Sequence, residues 1–227
     1  MQSIGEVHRI MFSLFGLDLS FAPEMLFVTW IVMGVLVLLG YLGGRNLSEV
    51  PGGLQNFWEV IISFLDELVQ STLGRNGRRY TPLISTIFLF VLFSNLLAII
   101  PRLEEPTKFL STDLALGIMV FIVVHFSAVR SLGFKGYLKH YCDPVFLFAP
   151  LHIVGEMAKL VSHSFRLFGN ILGGSIIMVI LGYLSKNLFL PIILQLFFVL
   201  LAGSIQALVF TVLAVTYISL WRKEEGH

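Results

Sequence analysis

The chain has 227 residues, of which 56% are hydrophobic and 13% charged, with 21 phenylalanines and a formal net charge of +1. A soluble domain of that length carries far more charge, so the solvent for most of this chain is lipid. The near-zero net charge offers no field for nucleic acid, which is not expected as a partner, and the single cysteine, Cys142, excludes an intrachain disulfide and a thiolate metal site.

Within residues 1–24, Phe12, Leu14, Phe15 and Leu17 predict a short interfacial helix ended by Pro23. Glu6, His8, Arg9 and Asp18 leave no basic n-region followed by a clean apolar run, so membrane insertion is expected to rest on internal helices. Residues 25–43 form the first expected span, about 28 Å as a helix against a hydrocarbon core of about 30 Å. After a turn signal at residues 48–53, residues 54–73 read as an amphipathic helix. Trp58, Ile61, Ile62, Leu65, Leu68 and Val69 recur at helical spacing, while Glu59, Asp66 and Glu67 are polar, so it lies at the interface or against a partner. A basic loop at residues 74–79 follows, and Pro82 opens the second span, residues 83–100.

A polar loop at residues 101–106 leads to the third span, residues 113–129, which ends at Arg130. Lys135, Lys139, His140 and Asp143 fall in the connector that follows. Residues 151–184 and 192–221 then form two proline-free tracts, about 51 Å and about 45 Å long as helices, which fit a core of about 30 Å only by leaning about 50° or more. The expectation is a long, steeply tilted hairpin, or helices broken at Gly173-Gly174 and Gly203. The fold class expected is thus an all-α integral membrane protein, a single membrane domain over residues 1–227 with about five membrane helices and one interfacial amphipathic helix. No internal repeat is visible, which weakens an inverted-repeat transporter.

Charge sets the orientation. With the N-terminus outside, Arg45, Arg75, Arg78, Arg79, Arg130, Lys135, Lys139, Arg222 and Lys223 are cytoplasmic, against Arg9, Arg102, Lys108 and Lys186 outside, with Lys159 and Arg166 embedded. The positive-inside rule therefore favours N-terminus out and C-terminus in.

The tract at residues 151–184 carries a polar series, His152, Glu156, Lys159, His163, Arg166 and Asn170, whose alternating steps of four and three place all six on one helix face. In lipid such a face must be covered by protein or line a water-filled cavity. Arg166 is the costly member, because a mid-membrane arginine is unfavourable by at least about 2.5 kcal/mol. Titratable groups one turn apart beside a fixed positive charge suit an ion path. The bland reading is a Glu156–Lys159 and Glu156–His163 cluster that only holds the hairpin together, and it leaves Arg166 without an acidic partner in its own stripe. Elsewhere Asp113 reads as a helix cap at least as well as an ion-handling group, His125 as hydrogen-bonded packing, and Gln206 as a partner for Arg166 or as glue between helices.

Arg166-Leu167-Phe168-Gly169-Asn170 with its following glycines, Gln206-Ala207, and Val50-Pro51-Gly52-Gly53-Leu54-Gln55-Asn56 resemble subunit a of bacterial F-type ATP synthases. Ser94-Asn95-Leu96 and Thr112-Asp113-Leu114-Ala115-Leu116 extend the likeness over nearly the whole chain. The resemblance implies an inner-membrane stator subunit, not catalytic by itself, that needs no cofactor and embraces a ring of c subunits. It also implies a b-subunit peripheral stalk, other ATP synthase subunits and the lipid membrane as partners. In such proteins the arginine matching Arg166 faces the ring carboxylate between two offset half-channels. The positions matching Gln206 and Asn170 lie near it.

This sequence departs from the family where many relatives carry an acidic residue, at Ser175 and Val199. It also has Lys159-Leu160 in place of the usual Lys-Pro, and His163 at a commonly apolar position. The resemblance and these departures together suggest that His163, Glu156 and His152 contribute to the aqueous path. Two competing readings are an intramembrane metalloenzyme using His152, Glu156 and His163, which Lys159 among them opposes, and a secondary transporter acting alone.

Overall fold

A computed structural model describes residues 10–14, 17–21, 23–45, 52–100, 110–142, 149–184 and 189–220. The expected loop at residues 101–106, the connector residue Asp143 and the basic Arg222 and Lys223 lie outside the described residues, as do most of the residues at the turn signal before the amphipathic helix.

The chain starts with a hairpin, where the sequence had suggested a helix. Strand β1 (Ile10–Leu14) pairs antiparallel with β2 (Leu17–Phe21), in a register that runs from Ile10 opposite Phe21 to Leu14 opposite Leu17. The reason is a period-two alternation, in which Ile10, Phe12 and Leu14 answer Leu17, Leu19 and Phe21, with Ser13, Asp18 and Ser20 between them. Two-residue connections are also the commonest hairpin loops. Pro23 does not end a helix but opens one, since its missing N–H has no partner at a first helical position anyway.

Helices account for nearly all the other described residues, so the chain is an all-α integral membrane protein beyond this hairpin. They are α1 (Pro23–Gly44), the amphipathic α2 (Gly53–Leu73), α3 (Thr81–Leu96, with Pro82 in its first turn), α4 (Leu110–Cys142), α5 (Ala149–Leu184) and α6 (Phe189–Leu220). A 3-10 turn, Arg75–Tyr80, links α2 to α3, and another, Leu97–Ile99, continues α3. Among the described residues, four stretches are long and apolar enough to cross a membrane: Leu26–Gly44, Gly77–Leu96, Ser111–Leu138 and Val199–Leu220. In α5 the polar series interrupts the apolar run, and Leu172–Tyr183 is its apolar remainder.

Helix α4 runs well past the end expected at residue 129. Arg130 marks where a span can leave lipid, but a charged side chain does not stop a helix, and the α-helical backbone carries on past it to Leu132. The break comes at Gly133, whose φ of 71° is left-handed and open to glycine without steric cost. By contrast, α5 and α6 are continuous through Gly173-Gly174 and Gly203, so of the two expected forms of the hairpin the unbroken one is present.

The core is built around α6. Ala207, Phe210, Ala214, Val215 and Ile218 meet Val69 and Leu73 of α2, Ile84, Ile87 and Val91 of α3, and Val120, Val124 and Ala128 of α4. Polar contacts fix the same bundle around the start of α3. Thr81 Oγ1 donates to Asp66 Oδ1 at 2.6 Å, Gln70 Nε2 to Asp66 Oδ2 at 2.6 Å, and Arg78 stands 3.6 Å from that carboxylate. The Thr81 hydroxyl first, then Gln70 and Arg78, hold the Asp66 carboxyl below the usual carboxylate range against a smaller opposing effect of burial. Tyr80 and Ser127 share a hydrogen bond that joins α3 to α4, and Ser219 Oγ donates to Thr72 O at 3.2 Å. No described residue of α5 enters this core; α5 packs along α4 and α6.

Candidate ion-translocation site

One unbroken helix carries the polar series. At about 1.5 Å per residue, His152 to Asn170 covers about 27 Å of α5, close to the thickness of the hydrocarbon core. His152 and Arg166 are exposed and Glu156 is half-buried; the side chains of Lys159, His163, Asn170 and Ser175 lie outside the described residues, although their backbone is helical. Phe165, Val161 and Leu172 are exposed as well, roughly 100–140° around the helix from Arg166, so an apolar surface flanks the polar stripe. A guanidinium stays charged at any accessible pH. Among the described residues no carboxylate pairs with that of Arg166, and the ion pair found is Arg78 with Asp66. The six residues thus share one helix, as their spacing required, but α5 is not folded around them.

Gln206 is placed differently from that stripe. It is only 7% exposed and sits on the α6 face that includes Ala207 and Phe210, turned toward the core. Among the described residues no hydrogen bond joins it to Arg166. One turn before it, Gly203 lets α3 come close: Asn95 Nδ2 donates to Gly203 O at 3.1 Å. A Cβ on Gly203 would lie 3.1 Å from Asn95 Cβ, tighter than ordinary contact, so the close approach favours glycine.

Sequence reading gave Ser94, Asn95 and Thr112 no role at a site and left Asp113 open between a helix cap and an ion-handling group. Ser94 (0% exposed), Asn95 (4%), Thr112 (6%) and Asp113 (0%) are all enclosed, and the Ser94 and Thr112 hydroxyls meet no hydrogen-bond partner among the described residues. A buried hydroxyl normally finds one, from protein or from water. The available signal was a run of small polar residues near the ends of two otherwise apolar spans. Among the described residues no three His, Cys, Asp or Glu side chains cluster as metal ligands would.

Comparison with known proteins bears directly on this arrangement. The family described as ATP synthase A chain matches residues 26–219, nearly all of α1 to α6. The chain belongs to that family. Its relatives include ATP synthase subunit a 1 of Syntrophotalea carbinolica, 46% identical over 87% of this chain and 85% of the relative. ATP synthase subunit a of Desulfosudis oleivorans is 41% identical over 83% of both chains, and that of Moorella thermoacetica is 41% identical over 84% of this chain and 87% of its own. Membership gives the exposed arginine on α5 a context: a membrane-sector subunit of a rotary ATP synthase.

Proposed function

We propose that this chain is the ion-translocating stator subunit of a rotary ATP synthase. It offers two offset aqueous half-channels to a ring of c subunits, and Arg166 separates them. The observation that carries this reading is a guanidinium exposed on the polar stripe of α5, with no acidic partner among the described residues, in a member of the ATP synthase A chain family. The counter-charge then belongs to another polypeptide, a carboxylate on each passing ring subunit. A b-subunit stalk and the remaining ATP synthase subunits complete the assembly in a bacterial inner membrane, with the N-terminus outside and the C-terminus in the cytoplasm.

Physical chemistry supplies the steps. A cation beside a carboxylic acid lowers its pKa by about 1–3 units, so a protonated ring site arriving opposite Arg166 releases its proton. Because Arg166 keeps its charge, it blocks direct passage of protons between the two half-channels, and ring rotation becomes the way across. The potential contributes about 2.3 kcal/mol per charge per 100 mV, so several ions drive each turn. With Ser175 and Val199 where relatives are often acidic, His163, Glu156 and His152 line the path along α5, while Asn170 and Gln206 lie near the arginine. The 54 Å and 48 Å that α5 and α6 would measure, each approximate, fit this membrane only if the pair is inclined, which keeps a long side of α5 against the ring.

Arg166→Ala tests the reading in the assembled complex. Coupled ATP synthesis is lost while the complex still assembles; normal synthesis by the variant would refute it.

A further inference from the structure

Building on this reading, we infer that Asp113 is the buried proton-relay carboxylate of the outward half-channel, on a water path bordered by Ser94, Asn95, Thr112 and Gln206. The acid that is missing at Ser175 and Val199 is thereby supplied from a different helix.

Three observations converge on it. The first is position. Tyr80 and Ser127 clasp α3 and α4 at one end, and both helices pack on α6. From that clasp Asn95 lies about 22 Å along α3 and Asp113 about 21 Å along α4, at about 1.5 Å per residue. The two helices run in opposite senses, so Asp113 is level with Asn95 and with Gly203, which Asn95 contacts. Gln206 is one turn further in. On the proposed orientation this level is the outer one.

The second is enclosure. Asp113 is 0% exposed, in a bundle where ionised groups are costly unless water or partners reach them. An aspartate that only complements the start of α4 works equally well at the surface and calls for no polar groups on neighbouring helices. The third is the company it keeps. Ser94 and Thr112 contribute enclosed hydroxyls with no partner among the described residues, and Asn95 and Gln206 contribute amides at 4% and 7% exposure. Polar side chains from three helices at one level of an apolar bundle provide the two to four partners a buried water needs.

The chemistry is proton transfer alone. The Asp113 carboxylate takes a proton from the outer water chain, forming one O–H bond as another breaks. The acid then releases it to the inner waters beside Asn95 and Gln206, and no oxidant or co-reactant enters. The polar side chains of α3 and α6 at this level are amides and hydroxyls, so the carboxylate there comes from α4, as Asp113.

The test uses the complete ATP synthase in inverted membrane vesicles and in right-side-out vesicles. Asp113→Asn lowers ATP-driven proton pumping by about tenfold or more, while Asp113→Glu restores most of it. In a Cys142→Ser background, Asp113→Cys becomes sensitive to silver ion added from the outer side, and Val120→Cys, in the dry core, stays insensitive. Pumping at the parent rate by Asp113→Asn, or an Asp113→Cys no more silver-sensitive than Val120→Cys, overturns the inference. If Asp113 variants fail to assemble, Ser94→Cys carries the same silver test with the same two outcomes. Arg166→Ala runs alongside: if it still makes ATP, the reading of the whole chain falls, whereas if it does not and the Asp113 arms fail, only the relay falls.

Discussion

Gly203→Ala is the substitution whose effect can be worked most closely from the structure. The new Cβ would lie 3.1 Å from Asn95 Cβ, 3.8 Å from Asn95 Nδ2 and 3.9 Å from Asn95 Cγ. Carbon atoms in contact prefer about 3.5–4.0 Å, so α3 and α6 must part by about half an ångström. That stretches the 3.1 Å bond from Asn95 Nδ2 to Gly203 O beyond useful length. The lost bond costs about 1 kcal/mol and the crowding about 1–3 kcal/mol, while alanine returns about 1 kcal/mol of helix propensity, for a net loss of about 1–3 kcal/mol. Thermal unfolding of the purified membrane sector, parent beside variant, should show a lowered midpoint. The cycle with Asn95→Gly sharpens the test: with the opposing Cβ gone, Gly203→Ala should become neutral or stabilising. A Gly203→Ala variant at least as stable as the parent in the presence of Asn95 would refute the reasoning.

Two further outcomes concern the end of the bundle where α3 starts. Tyr80→Phe and Ser127→Ala should each lower stability by about 1 kcal/mol, and their double variant should show coupling of about 0.5–1.5 kcal/mol in the same unfolding assay; strict additivity would mean the bond contributes nothing. The depressed pKa of Asp66 makes its contribution fully present above the ordinary carboxylate value and lost only as pH falls through the lower folded value, so the α2–α3 anchor is insensitive to pH near neutrality. Asp66→Asn should therefore speed amide hydrogen exchange in α2 already at neutral pH and flatten its acid dependence. Parent-like protection in the variant would show that the Thr81, Gln70 and Arg78 contacts do not hold α2.

The parts of this fold legible in the sequence are those with a strong local period. The apolar spans, the amphipathic α2 and the one-face polar series on α5 all follow from spacings of three and four within one helix. The N-terminal hairpin was equally local, but its five-residue strands alternate with period two in a segment where the phenylalanines and leucines drew attention to helix. Arg130 shows a different limit: charge reports where lipid ends, whereas a helix breaks on backbone geometry, here the left-handed φ of Gly133 that kinks α4. Nothing in a single sequence reveals the Asn95–Gly203 contact, between residues 108 positions apart, because it exists only after α3 packs on α6. Asp113 stayed open between a cap and an ion-handling group for the same reason, since its enclosure depends on helices far from it in the chain.

The division of polar groups between two sides of α6 has a bearing on how one arginine could separate two water paths. Core packing commits one face of α6 to α2, α3 and α4, and Gln206 and Gly203 lie on that face with Asn95. The series on α5 stands outside this core, with His152 and Arg166 exposed. On the proposed reading, a path on the inner side reaches the ring past Asn95 and Gln206, and a second follows α5 along His152, Glu156 and His163. The two are offset because tightly packed aliphatic and aromatic side chains, Ala207, Phe210 and Val215 among them, leave no room for water between the faces. Arg166 then has to guard only the place where both paths approach the ring, and a single charge that cannot be titrated away is sufficient there.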